Sequence, residues 1–133
     1  MPSKRKATGT LARSRAWLEA DGWRVIKLEW RDRFGKTHDV AGCDLLAVKR
    51  GKPIMFVQAT DTSHRGLDQI ENDPDARAIA VAGCLVVVHC WRYLRRLKCW
   101  GAQVHRLVPG DSHDPVRFQI RQLEDIYEQC SGN

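Results

Sequence analysis

Residues 42–60 read GCDLLAVKRGKPIMFVQAT. Two apolar runs flank a basic turn centred on Gly51, with Asp44 at the head of the first run and Gln58 at the end of the second. Gly51 is equidistant from the two polar residues, so the spacing predicts an antiparallel hairpin over 44–48 and 54–60. In a turn symmetric about Gly51, Asp44 and Gln58 face each other across the pair. Directly opposed side chains share a face, with Cβ atoms about 4.5–5.5 Å apart. Thr60, two residues further on, points to the same side. Odd-length hairpin loops with a central glycine are common, whereas a one-residue slip would separate the faces. A carboxylate and a carboxamide at the end of a buried ribbon suit a hard divalent cation, Mg²⁺ or Mn²⁺, with the Ala59 carbonyl as a further oxygen ligand. The same pair also suits a plainer role, in which Asp44 caps a strand end and Gln58 hydrogen-bonds to it.

Working outward, TLARSRAWLEADGW predicts a first helix N-capped by Thr10 and ended at Gly22. WRVIKLEW, 23–30, alternates as one strand, with Ile26, Leu28 and Trp30 on one face and Val25, Lys27 and Glu29 on the other. RDRFGKTHD reads as a polar loop. After the hairpin, TSHRGLDQIEN predicts a helix capped by Thr62 or Ser63. Asp73-Pro74 then opens a short helix stopped by Gly83. CLVVVHCW, AQVHRLV and VRFQIRQL read as strands, RYLRRLK as a basic loop or short helix, and EDIYEQC as a terminal helix. The order α–β–β–β–α–α–β–β–β–α predicts a mixed α/β (α+β) domain over 10–133, preceded by a basic arm at 1–9.

The chain has 133 residues and a net charge of +6, and 15 of its 22 basic residues are Arg. Arg forks match phosphates, so a nucleic-acid partner is expected. No apolar run approaches the roughly 18 residues of a membrane span, and the N-terminus lacks the apolar stretch of a secretory signal. The five cysteines are odd in number and form no C-x-x-C motif. That pattern argues against a disulfide framework and for a reducing cytoplasm. A zinc site from Cys84, His89, Cys90 and Cys99 matches no standard spacing. The five tryptophans, at 17, 23, 30, 91 and 100, are of a type that can stack on bases, but most lie beside apolar runs, where core packing is expected.

A helix, a strand, a loop, Cys43-Asp44 opening a hairpin, a basic turn and a strand ending Val57-Gln58-Ala59-Thr60 together resemble the PD-(D/E)XK nuclease superfamily. Its members include Holliday-junction resolvases, VRR-type nucleases and many restriction endonucleases. DVAGCDLLAV, VQAT and AGCLVVVHCW are similar to stretches of small phage and bacterial members, and the similarity spans about residues 10–92. The resemblance implies a restriction-endonuclease-like core, with a mixed central sheet and a hairpin flanked by helices. It also implies metal-dependent hydrolysis of DNA phosphodiesters, selective for branched or junction structures. Asp44 takes the place of the first-motif acid, Gln58 of the second acid and Thr60 of the lysine.

Both second-motif positions depart from the family, since Gln58 and Thr60 carry no charge. Lys27 is the candidate to replace the lysine, and Glu29 the missing acid. Asp39 and His38 are further candidates near the ion, and Lys49 has the wrong parity. The metal set is then Asp44, Gln58, Ala59 and Glu29. Phosphate contacts are expected from Lys4, Arg5, Lys6, Arg13, Arg15, His64, Arg65, Arg92, Arg95, Arg96 and Lys98. Many relatives are homodimers, since two cuts need two sites. The alternative is a nuclease fold that binds nucleic acid without cutting it.

Overall fold

A computed structural model describes residues 9–61, 63–109 and 118–128, with the side chains of 63–65, 109 and 118–128 excepted. Helix α1 (Thr10–Ala20) is followed by β1 (Arg24–Lys27), a ribbon of β2 (Trp30–Arg31) and β3 (Thr37–His38), and the hairpin β4 (Leu45–Val48) and β5 (Met55–Thr60). Helices α2 (Ser63–Glu71) and α3 (Pro74–Val81) lead into β6 (Leu85–Leu94), β7 (Cys99–Pro109) and β8 (Phe118–Glu128). The chain is α+β, with a mixed sheet ordered β1-β4-β5-β6-β7-β8 and the β2–β3 ribbon apart from it. Every neighbouring pair in the sheet is antiparallel except β5–β6, which α2 and α3 connect as a crossover.

Two cores sandwich the sheet. On one face, Leu18 of α1 packs on Val25, Leu45, Ala47, Met55, Val57, Val87 and Val104. On the other, Ile70 of α2 and Ala76 and Ala80 of α3 pack on Cys43, Val86, Val88, Cys90 and Leu107. Alternation along β6 sends Val87 to the first core and Val86 and Val88 to the second, as its near-continuous apolar run requires of a strand covered on both sides. Asp73 caps α3 as its position before Pro74 predicts, accepting from the N–H groups of Asp75 (2.8 Å) and Ala76 (3.1 Å).

Several expectations are corrected. α1 begins at Thr10 itself, behind an extended Gly9 without a side-chain cap. The single strand over 23–30 is broken: β1 ends at Lys27, and Trp30 pairs with His38 in the ribbon. Val25 is buried while Ile26 is 45% exposed, because Val25 is the residue facing α1. RYLRRLK is the end of β6 and a tight turn into β7, with Lys98 at φ 53. EDIYEQC is strand as far as Glu128, since β8 keeps its pairing with β7 out to Gly101. Cys99 is disulfide-bonded, whereas Cys43, Cys84 and Cys90 are free thiols, so the expectation against a disulfide framework does not extend to Cys99. No described helix is long and apolar enough to cross a membrane.

Candidate metal centre

The hairpin has the register that its glycine predicts. Leu45 opposes Val57, Leu46 opposes Phe56 and Ala47 opposes Met55, each pair equidistant from Gly51. Leu45 and Val57 belong to the α1-side core, and Phe56 packs on the α2/α3-side core. By alternation, Gln58 and Thr60 lie on the α2 face. There Gly66 of α2 passes so close that an added Cβ would sit 2.7 Å from Gln58 Oε1 and 3.1 Å from Thr60 Cγ2. Gln58 Oε1 is buried and has no hydrogen-bond partner among the described residues, a costly condition for a carbonyl oxygen away from water.

The ladder changes at Asp44. Its N–H donates to Val57 O (2.8 Å), and its carboxylate Oδ2 accepts the Ala59 N–H (3.1 Å). The side chain thus stands in for a missing ladder partner, as the plainer role of Asp44 requires. No donor reaches its second oxygen among the described residues. In an extended residue the N–H and C=O project to the same edge, so the Ala59 carbonyl also points toward Asp44, beyond the last hairpin pair.

The chain before Asp44 is bent sharply to deliver it. Val40 and Cys43 bridge each other across a turn whose central residues, Ala41 (φ 55) and Gly42 (φ 75), are both left-handed. Glycine takes this conformation freely, but Ala41 is strained by roughly 1–2 kcal/mol, a pattern common beside functional groups. Cys43 is fully buried next to it and anchors the bend. Burial, then the charges of Asp44, Asp39 and Asp73, pushes its thiol up, so it is a packing residue and no nucleophile.

Glu29 and Asp39 both approach Asp44. The Leu28 N–H (2.7 Å) and Glu29 N–H (3.3 Å) donate to Asp44 O. Burial, followed by the charges of Glu29 and Asp39, raises the Asp44 carboxyl to about 6 against the opposing pull of the Ala59 N–H. A cluster of like charges around a part-buried carboxylate is a setting that a bound cation relieves. The carboxylates alone do not form a ready-made chelate: among the described residues no three His, Cys, Asp or Glu groups converge on one point. An ion here depends on the mixed oxygen set of Asp44, the Ala59 carbonyl and Gln58 Oε1. Those hard donors, one of them buried without a partner, fit Mg²⁺ or Mn²⁺ and would suit zinc poorly.

The other expected site residues scatter. Lys27 pairs with Leu45, which places it on the α1 face, away from Gln58 and Thr60. It shares a cleft of about 160 Å³ with Glu29, Trp30, Arg31 and Thr37. His38 is held by Asp32 (2.9 Å). Lys49 is bound by the Asp21 carbonyl (2.6 Å) at the opposite end of the strand. Arg13 is corrected outright: it is 5% exposed, and its guanidinium lies 3.7 Å over the Trp100 ring, so it packs the protein and reaches no phosphate. Arg15 is exposed but paired with Glu19 (3.3 Å). Arg92, Arg95, Arg96 and Lys98 are exposed on the β6–β7 hairpin. Lys4, Arg5 and Lys6, and the side chains of His64 and Arg65, lie outside the described residues.

Sequence reasoning missed a second polar site on the α1 face. Trp91 Nε1–H donates to Ser14 Oγ (2.8 Å), and Ser14 Oγ is hydrogen-bonded to His89 Nδ1 (2.8 Å). Trp17 packs edge-on against the His89 ring at 5.1 Å. All three hydrogen-bonded side chains are at most 1% exposed, and burial drops the imidazole to about 3, so His89 is neutral. This arrangement disposes of the zinc alternative, since His89 faces away from Cys90, which lies in the α2/α3-side core. The chain matches no family model, no curated protein and no solved structure.

Proposed function

We propose that the chain is a divalent-metal-dependent phosphodiesterase acting on DNA, with a restriction-endonuclease-like core and its active centre at the open end of the β4–β5 hairpin. The observation that carries this reading is the meeting of Asp44 with the Ala59 backbone (3.1 Å) on a ribbon where Gln58 Oε1 is buried with no partner among the described residues. The topology supports it as well. Helix α1, an antiparallel β1-β4-β5 meander, a helical crossover and the parallel strand β6 follow the order that the resemblance to PD-(D/E)XK nucleases implies.

Asp44, the Ala59 carbonyl and Gln58 would hold the ion, with Glu29 near enough to Asp44 to act as an outer ligand. A bound divalent ion supplies Lewis-acid polarisation of a phosphoryl oxygen and lowers the pKa of water. Asp44 must be ionised to hold it, and its carboxyl near 6 makes that so above neutral pH. Gln58 adds a dipole where the family has a charge, which predicts weaker ion affinity. Thr60 offers a hydroxyl and no positive charge. Lys27 would have to serve from the cleft it shares with Glu29, on the α1 side of the sheet. Arg92, Arg95, Arg96 and Lys98 would hold phosphates by charge, giving salt-sensitive binding with little base selectivity.

Two observations favour a second reading, a nucleic-acid binder without catalysis: both second-motif positions are neutral, and among the described residues no three acidic or ligating side chains converge. Incubating purified chain and its Asp44→Ala variant with branched, duplex and single-stranded DNA in Mg²⁺ or Mn²⁺ separates them. Cleavage lost in the variant supports the enzyme. Salt-sensitive binding with no cleavage in either ion supports the binder, and no binding at all removes both.

A further inference from the structure

The ribbon that sequence reasoning took for a polar loop is built to display aromatic rings. Asp32 organises its turn: Oδ1 accepts the N–H groups of Phe34 and Lys36 (both 2.9 Å), and Oδ2 meets His38 Nε2 (2.9 Å). These bonds, with Gly35 at φ 83, fix the tip so that Phe34 projects outward, 82% exposed. Trp30 is 55% exposed and stacks on His38 with centroids 4.3 Å apart and an interplanar angle of 18°, leaving its other face open. Two exposed rings on one held ribbon, rimmed by polar residues, are the kind of surface that marks an interaction site.

Charge says what covers it. Arg31, Arg33 and Lys36 are exposed around the two rings, and Arg33 lies 5.2 Å over Phe34. The ribbon's one acid, Asp32, is engaged by the turn and by His38. Aromatic faces interleaved with cations match unpaired nucleobases on a phosphate chain, because a base stacks only when both of its faces are not already stacked in a duplex. The ribbon also grows directly from the candidate metal centre. Glu29, immediately before Trp30, and Asp39, immediately after His38, are the two residues whose charges raise Asp44.

We propose that the β2–β3 ribbon captures an unpaired nucleotide, stacking bases on Phe34 and Trp30 while Arg31, Arg33 and Lys36 hold the adjoining phosphates, and so directs single-stranded or flapped DNA to Asp44. The proposal rests on the reading of the Asp44 site as one that acts on nucleic acid, and it names the substrate class that the ribbon selects.

The test measures binding in chelator, so that cleavage plays no part. Fluorescence anisotropy of the full chain is followed with a labelled oligothymidylate, a blunt duplex and a flapped duplex. The wild type should bind the oligothymidylate and flap more tightly than the duplex. Phe34→Ala should weaken the first two about tenfold, the scale of one lost base stack, and leave duplex binding unchanged. Phe34→Trp should restore it. Phe34 is too exposed for its loss to unfold the chain, and a melting curve on each variant checks this. Equal loss on all three probes, no loss on any, or a preference for blunt duplex overturns the proposal. Mg²⁺-dependent cleavage that persists while Phe34→Ala binds normally sinks the ribbon and leaves the Asp44 reading standing. Tight single-strand binding through Phe34 without any cleavage does the reverse.

Discussion

The two faces of one sheet carry two polar sites, and they are finished differently. On the α1 face, Ser14, His89 and Trp91 form a buried chain in which Trp91 Nε1–H and His89 Nδ1 both find the Ser14 hydroxyl and the only titratable group is held neutral. At the open end of the β4–β5 hairpin, Asp44 has one oxygen engaged, Gln58 Oε1 has no partner among the described residues, and two acids crowd a carboxyl already raised to about 6. A closed network fixes a fold. An open one, at a part-buried carboxylate, leaves polar groups that a bound partner could still satisfy. The difference separates a structural histidine from a candidate ligand set, although a His beside a Ser is the more suggestive pair on paper.

The sharpest way to break the comparison is at its closed end. Ser14→Ala leaves both the Trp91 N–H and His89 Nδ1 buried without a partner, and should cost about 2–4 kcal/mol in denaturant unfolding. A loss under about 0.5 kcal/mol would mean the network is ornamental.

Acid tests the same end next. The folded pKa of His89 is lowered to about 3, so the unfolded chain takes up protons first as pH falls below the ordinary imidazole value. Stability from His89 is therefore full at neutral pH and drains between about 6.5 and 3, by roughly 2–3 kcal/mol at pH 4.5. The sign reverses for Asp44, whose folded pKa lies above its unfolded value. Its ionisation destabilises the fold as pH rises through about 6.

Asp44→Asn preserves an acceptor for the Ala59 N–H while removing the strained charge. In chelator at pH 8 it should raise stability by about 1–2 kcal/mol, with no gain near pH 3.5. Saturating Mn²⁺ should raise the melting temperature of the wild type and leave that of Asp44→Asn unmoved. Gln58→Glu restores a second carboxylate. It should cost about 1 kcal/mol in chelator at pH 8, recover in Mn²⁺ and bind the ion more tightly than the wild type. The smallest effect belongs to the surface: Arg15→Ala should change stability by less than about 0.5 kcal/mol, because its pair with Glu19 is half exposed.

What was legible in the sequence was whatever local pattern dictates. The hairpin register follows from Gly51 and strict alternation, and the α3 cap from Asp73-Pro74. Alternation misled at 23–30, because the pattern runs on through Leu28 and Glu29 while their N–H groups turn to the Asp44 carbonyl. Arg13 reads as surface charge, and only the fold brings Trp100 beneath it. Ser14, His89 and Trp91 form one unit across long chain separation, and no local pattern encodes their meeting. In the candidate site, the Asp44 carboxylate reaches the Ala59 N–H across the hairpin, and the Glu29 N–H reaches the Asp44 carbonyl. Lys27 does not join them, because strand pairing sends it to the other face.

The lone parallel pairing, β5 with β6, has a kinetic consequence. The β4–β5 hairpin closes over a handful of residues and can nucleate early, whereas β6 must wait for the whole α2–α3 segment to be threaded over the sheet. Gln58 and Thr60 are therefore roofed by Gly66 late, after their strand has already found its register. Until that docking step, water can serve the Gln58 amide, and the chain meets the penalty for its orphaned oxygen only when folding is nearly complete.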